Sequence, residues 1–121
     1  MSFLTKKSVF SLILMVFTAF LSNCDYPEIK KQAPNINELA TKSKFSVHLP
    51  ENHSTGYIWQ LSDDYDKNLV KSLNVVWHGN EKGAYFNLSA LASGQTTLTF
   101  VSRKYTDTSA VKQYIVKIGD Y

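Results

Sequence analysis

Three histidines, one cysteine and ten carboxylates are the residues of this 121-residue chain with the clearest capacity for chemistry. A zinc site needs ligands paired at short spacings, as in Cys-x-x-Cys or His-x-x-x-His. His48, His53 and His78 do not complete such a set with the single cysteine. His48 stands between Val47 and Leu49 in an alternating stretch, which turns it toward solvent. Asp63 and Asp64 are neighbours at a strand end, where aspartate builds turns. Lys82 lies between Gly79 and Gly83, but the helix-starting residues of a phosphate-binding loop are missing. A hydrolase or transferase needs a nucleophile with a base in reach, a metal set or a carboxylate pair. The residues point to no catalysis, no metal and no cofactor.

A second kind of chemistry, recognition, is written more clearly. The run Leu49-Pro50-Glu51-Asn52-His53-Ser54-Thr55-Gly56-Tyr57-Ile58-Trp59 concentrates turn-forming residues between two apolar, alternating stretches. Gly56 can adopt φ > 0 and lets the backbone turn sharply or approach a partner closely. Asn52, Ser54 and Thr55 can hydrogen-bond their own nearby backbone, which holds an exposed loop in one shape before a partner arrives. Such preorganisation lowers the entropy lost on docking.

That run resembles the first signature of the chagasin-type inhibitors, Asn-Pro-Thr-Thr-Gly-Tyr/Phe-x-Trp entered from a strand ending Leu-Pro. Asn52, Thr55, Gly56 and Tyr57 match, Ser54 stands for threonine, and His53 replaces the proline. The family's second signature, Gly-x-Gly-Gly, is represented by Gly79-Asn80-Glu81-Lys82-Gly83-Ala84, where Gly83 keeps the register to the later Ser93-Gly94 turn. Its third, Arg-Pro-Trp/Phe, is loosely similar to Arg103-Lys104-Tyr105, with Lys104 in place of proline. The resemblance runs from about residue 36 to 118. It implies an immunoglobulin-like antiparallel β-sandwich that occludes the cleft of a papain-like cysteine peptidase, reversibly and without a covalent bond. The peptidase-binding residues it implies are Asn52, His53, Ser54, Thr55, Gly56, Tyr57, Gly83, Arg103 and Tyr105. An immunoglobulin-like envelope or adhesion module, binding a protein or glycan by its loops or a strand edge, is the alternative.

The elements that must position these loops are short strands. Phe45, Val47 and Leu49 alternate with polar residues at the period of a strand with one face on a core. So do Tyr57, Trp59 and Leu61; Leu73, Val75 and Trp77; residues 85–91; Leu98 and Phe100; and Tyr114, Val116 and Ile118. Turn-forming clusters separate them, and six or seven such strands predict an all-β sandwich or barrel. Trp59 is expected in its core. Only residues 64–72 invite a helical reading. In an immunoglobulin-like order, connections after alternate strands gather at one end, so three loops would form a wedge.

The first two dozen residues read as an export signal: Lys6 and Lys7, an apolar run over 9–21, then Ser22-Asn23-Cys24. That run is shorter than the roughly 20 residues a spanning helix needs. Leu21-Ser22-Asn23-Cys24 resembles a bacterial lipobox, with Asn23 where a smaller residue is usual, and implies an acylated Cys24. Lipidation would also consume the single cysteine, which can form no internal disulfide. The expected organisation is a signal over 1–23, a tether over 24–35 and one domain over 36–121. It places a monomer in the bacterial envelope, lipid-anchored at the periplasmic face or cell surface. The whole chain carries +3. With Lys6 and Lys7 removed, 11 basic residues face 10 acidic ones, scattered rather than striped, which excludes nucleic acid as a partner.

Overall fold

The alternating stretches become seven strands in a computed structural model that describes residues 26–121. Residues 1–25, which carry the expected signal and Cys24, lie outside the described residues. The strands are β1 (Ile36–Ala40), β2 (Lys44–Leu49), β3 (Ile58–Leu61), β4 (Val70–Trp77), β5 (Ala84–Ala90), β6 (Gly94–Lys104) and β7 (Asp107–Gly119). One sheet has the order β1-β7-β6-β3 and the other β2-β5-β4. All pairings are antiparallel except β1 with β7. The result is the all-β, immunoglobulin-like sandwich that the strand spacing and the motif resemblance predicted.

The core sits between the sheets, where the alternating positions meet. Phe45, Val47 and Leu49 from β2 and Phe86 and Leu88 from β5 face Leu98, Phe100, Tyr114 and Val116. Phe100 is the hub, edge-on to Phe86 at 4.9 Å and to Tyr114 at 5.7 Å between ring centroids. Each large side chain so buried contributes about 1.5–3 kcal/mol. Trp59 is buried as expected.

Three expectations change. Leu73, Val75 and Trp77 do not line the core: they are 37, 54 and 44% exposed, and only Val70 of β4 is buried. β4 is an outer strand of the smaller sheet, and a bulge between Ser72 and Asn74 breaks its alternation. Residues 64–69 form turns and 70–72 open β4, so no helix forms over 64–72. Asp66 organises the turns, its carboxylate accepting from Asn68 N at 2.9 Å and its carbonyl from Leu69 N and Val70 N.

Most of the stretch expected as a tether is part of the domain. Ser46 N donates to the Pro27 carbonyl at 2.9 Å, Ile29 N to the Ser46 carbonyl at 3.0 Å, and Ala33 N to the Gln113 carbonyl at 2.9 Å. Ile29 enters the core at 8% exposure, and Asn37, through its amide, holds both Lys31 and Ile115. The segment covers the outer edge of β2, satisfying backbone groups that an open edge would leave unpaired.

Candidate functional site

Strand register gathers three connections at one end. Leu49 pairs with Ala84, which also pairs with Trp77, so the β2–β3 connection (residues 50–57) and the β4–β5 connection (78–83) leave the smaller sheet together. Ile58 pairs with Arg103, and Lys104 with Asp107, which brings the β6–β7 hairpin tip (105–106) to the same end.

The first connection is wound by its own residues. Asn52 caps a single 3-10 turn, His53–Thr55. Asn52 Oδ1 accepts from Ser54 N at 3.0 Å and from Ser54 Oγ at 2.6 Å. The Asn52 carbonyl accepts from Thr55 N at 3.2 Å and from Thr55 Oγ1 at 2.8 Å. Gly56 closes the turn at φ 83, its N–H donating to the His53 carbonyl at 3.2 Å. A Cβ there would also stand 3.1 Å from Lys104 Cε. These bonds satisfy the amides of the turn locally, so it keeps its shape while exposed.

At the root of this turn the carboxylate of Glu51 is buried, its side chain 4% exposed. A buried carboxylate is tolerable only when paired and hydrogen-bonded. Its Oε1 accepts from Trp59 N and its Oε2 pairs with His53 Nε2, both at 2.7 Å. Trp59 Nε1 donates to the Pro50 carbonyl at 2.7 Å, so the core tryptophan also grips the loop's entry.

Cross-ties then join the loops. The His53 ring lies flat on Trp77, centroids 3.9 Å apart at 10°. His53 N donates to Asn80 Oδ1 at 3.0 Å, linking the first connection to the second. Tyr57 OH donates to Asp107 Oδ2, linking it to the hairpin. That hydrogen bond raises the Tyr57 pKa above its ordinary value, with smaller contributions from desolvation and from the Asp107 charge.

The residues expected to bind are placed as follows. Asn52, His53, Ser54, Thr55 and Gly56 are exposed, and Tyr57 is half-buried. Arg103 is exposed at the end of β6, and Tyr105, at the hairpin tip with φ 56, is 93% exposed. Arg103, Lys104, Tyr105 and Ile58 border an open groove of about 370 Å³ beside Gly56. Gly83 differs: it is buried, and a Cβ on it would lie 2.3 Å from the Leu49 carbonyl and 2.9 Å from Glu51 N. It cannot present itself to a partner. Its bare Cα instead lets the second connection close onto the root of the first.

His48 is half-buried on the outer face of the smaller sheet, stacked on Tyr85 and bonded through Nε2 to the Lys82 carbonyl. Among the described residues no three His, Cys, Asp or Glu side chains converge as a metal set. Ser54, beside His53, gives its hydroxyl proton to Asn52 rather than to the imidazole. Sequence reading missed Glu51, Trp77, Asn80 and Asp107, because a glutamate beside a turn and polar residues in other turns carry no one-dimensional mark of meeting.

Three cross-tied, exposed loops at one end of a rigid sandwich define a protein-recognition domain. The chain belongs to the chagasin family of peptidase inhibitors, I42, whose family model matches residues 38–118. This is a family of inhibitors, not of enzymes. Among solved structures, the fold is similar to the cysteine protease inhibitor EhICP2 of Entamoeba histolytica, with TM-score 0.65 and 17% identity. That similarity covers 78% of this chain and 94% of the other. The solution structure of amebosin is also similar, with TM-score 0.49 and 14% identity over 79% of this chain and 98% of that one. Among curated protein sequences, none matches.

Proposed function

We propose that this member of the family inhibits papain-like cysteine peptidases reversibly and without a covalent bond, with residues 52–57 seated in the substrate cleft. The observation that carries the reading is the first connection itself, exposed at its tip and internally bonded through Asn52, Thr55 and Gly56. A substrate is cut in an extended conformation, whereas residues 53–55 are wound into a 3-10 turn. The turn can fill the cleft with backbone and small side chains while presenting no extended peptide bond to the catalytic thiolate. The cost of ordering it is met in folding rather than in docking. The named activity of the Entamoeba fold relative, inhibition of cysteine proteases, agrees with this choice of enzyme class.

Arg103 and Tyr105 flank the wedge on one side, and arginine and tyrosine are favoured interface anchors. On the other side the exposed Asn80, Glu81 and Lys82 take the role that buried Gly83 cannot. Titration of papain and a cathepsin-type enzyme with the purified domain, with serine and metallopeptidases as controls, tests the reading. Inhibition confined to the cysteine enzymes supports it, and full activity at tens of micromolar inhibitor refutes it.

The location belongs to the same proposal: Cys24 is acylated and holds the inhibitor on the envelope of a bacterium. Residues 27–29 run parallel to β2, and Lys44 Nζ lies 5.8 Å over the Tyr26 ring at the strand's start. An anchor at Cys24 would therefore sit toward the pole opposite the three loops, which would face away from the membrane. Metabolic labelling with a radioactive fatty acid, present in wild type and lost in Cys24→Ser, tests it.

A further inference from the structure

The loop that the proposed function places in the cleft lacks the family's proline, with His53 in its place. A proline would restrict this position through its fixed φ. In this chain the position is held by contacts instead. The Glu51 side chain is 4% exposed, and its two oxygens are divided between the Trp59 amide inside the core and the His53 ring at the surface. The ring lies between that carboxylate and the face of Trp77, 3.9 Å away, while the His53 amide is held by Asn80. Trp77 is itself fastened, its Nε1 donating to the Glu51 carbonyl at 3.4 Å.

We infer that Glu51 is the positioning residue of the inhibitory loop: through His53 and Trp77 it locks the first connection onto the second, supplying by contact the rigidity that a proline would supply covalently. Glu51 touches no partner, because its carboxylate is buried. It acts by fixing where Asn52 to Gly56 stand. The inference rests on the inhibitory reading of that loop for its effect on affinity, but the clamp has a signature of its own. A ring held flat on an indole at this distance has its imidazole protons shifted upfield by the indole ring current.

The test uses Glu51→Ala, Glu51→Gln and His53→Ala, read by inhibition constant, melting temperature and the His53 imidazole proton shifts. Glu51→Ala strips the Trp59 amide of its acceptor and frees the ring. We expect inhibition weakened by about tenfold or more and the upfield shift gone. Glu51→Gln keeps an oxygen for the Trp59 amide and should fall between the two, retaining part of the shift. His53→Ala leaves one oxygen of the buried Glu51 carboxylate without its partner and bares the face of Trp77, so its melt should fall moderately while the domain still folds, and inhibition should weaken several-fold. Combined with Glu51→Ala, it should add little, since both remove the same lock. Additive effects of the two substitutions on inhibition, or an upfield shift that survives Glu51→Ala, would overturn the inference. So would an unchanged inhibition constant in His53→Ala. If Glu51→Ala does not fold, His53→Ala and Glu51→Gln carry the test. If the wild type inhibits no cysteine peptidase, the functional reading falls, while the ring-proton shifts still decide whether the clamp exists.

Discussion

Replacing Gly83 by alanine tests the idea that the first and second connections meet through a missing side chain. The added Cβ would lie 2.3 Å from the Leu49 carbonyl oxygen, 2.9 Å from Glu51 N and 2.9 Å from Pro50 Cα. All three neighbours are backbone, so no rotamer change relieves the contact. The residue also sits at φ +82, where an L side chain costs about 1–2 kcal/mol. Displacing the root of the first connection adds about 1–3 kcal/mol, as other overpacked sites do. The expected total is about 2–5 kcal/mol, a large share of the 5–15 kcal/mol typical of a domain, and it should lower the melting temperature by roughly 10 °C or more. Gly79, in the same connection at φ +97, has nothing within 4 Å of its would-be Cβ. Gly79→Ala therefore carries only the conformational part, about 1–2 kcal/mol. Thermal and urea melts of the two variants, compared in parallel, separate close approach from backbone strain. If Gly83→Ala is no less stable than Gly79→Ala, the packing of the second connection on the Leu49–Glu51 root is wrong.

Ile29→Ala should destabilise the domain by about 2–3 kcal/mol, measured by urea unfolding, because Ile29 is a core residue rather than part of a free tether; an unchanged midpoint would return that segment to linker status. Tyr57→Phe removes the tie to Asp107. The raised Tyr57 pKa means the bond stabilises the fold below the ordinary value of 10.0 and is lost as pH rises through the raised folded value. The melting difference between wild type and Tyr57→Phe should thus be present at neutral pH and shrink as pH rises past the ordinary tyrosine value; a difference independent of pH refutes the assignment. Tyr105→Ala, at a 93% exposed hairpin tip, should leave the melt unchanged and weaken peptidase inhibition by about tenfold. Equal inhibition by both proteins would remove the hairpin from the interface.

Strands β2, β5, β6 and β7 were legible because their large core residues recur at period two, from Phe45 to Leu49, Phe86 to Leu88, Leu98 to Phe100 and Tyr114 to Ile118. β4 was misread for two reasons a local pattern cannot carry: the bulge near Leu73 shifts its phase, and its place at a sheet edge leaves Val75 and Trp77 partly in water. The same limit hid the docking of Ile29, a single apolar residue among prolines and lysines whose burial depends on where β2 presents an open edge. At the site, Asn52, Ser54, Thr55 and Gly56 were legible as a self-supporting turn, since their partners lie two or three residues away. Gly83 was recognised as a glycine that matters but given the wrong reason, because its neighbours Leu49 and Glu51 are distant in the chain.

From the residue order alone come the all-β class, the core face of most strands and the coiled shape of the exposed turn. All of these depend on side-chain alternation and on hydrogen bonds spanning a few residues. Tertiary structure decided that Glu51 is buried, that His53 rests on Trp77, and that Asn80 and Asp107 complete the cluster. Those contacts join residues brought together by the pairing of Leu49 with Ala84 and of Ile58 with Arg103. Strand register is a property of the whole sheet, set by which apolar faces can be buried at once.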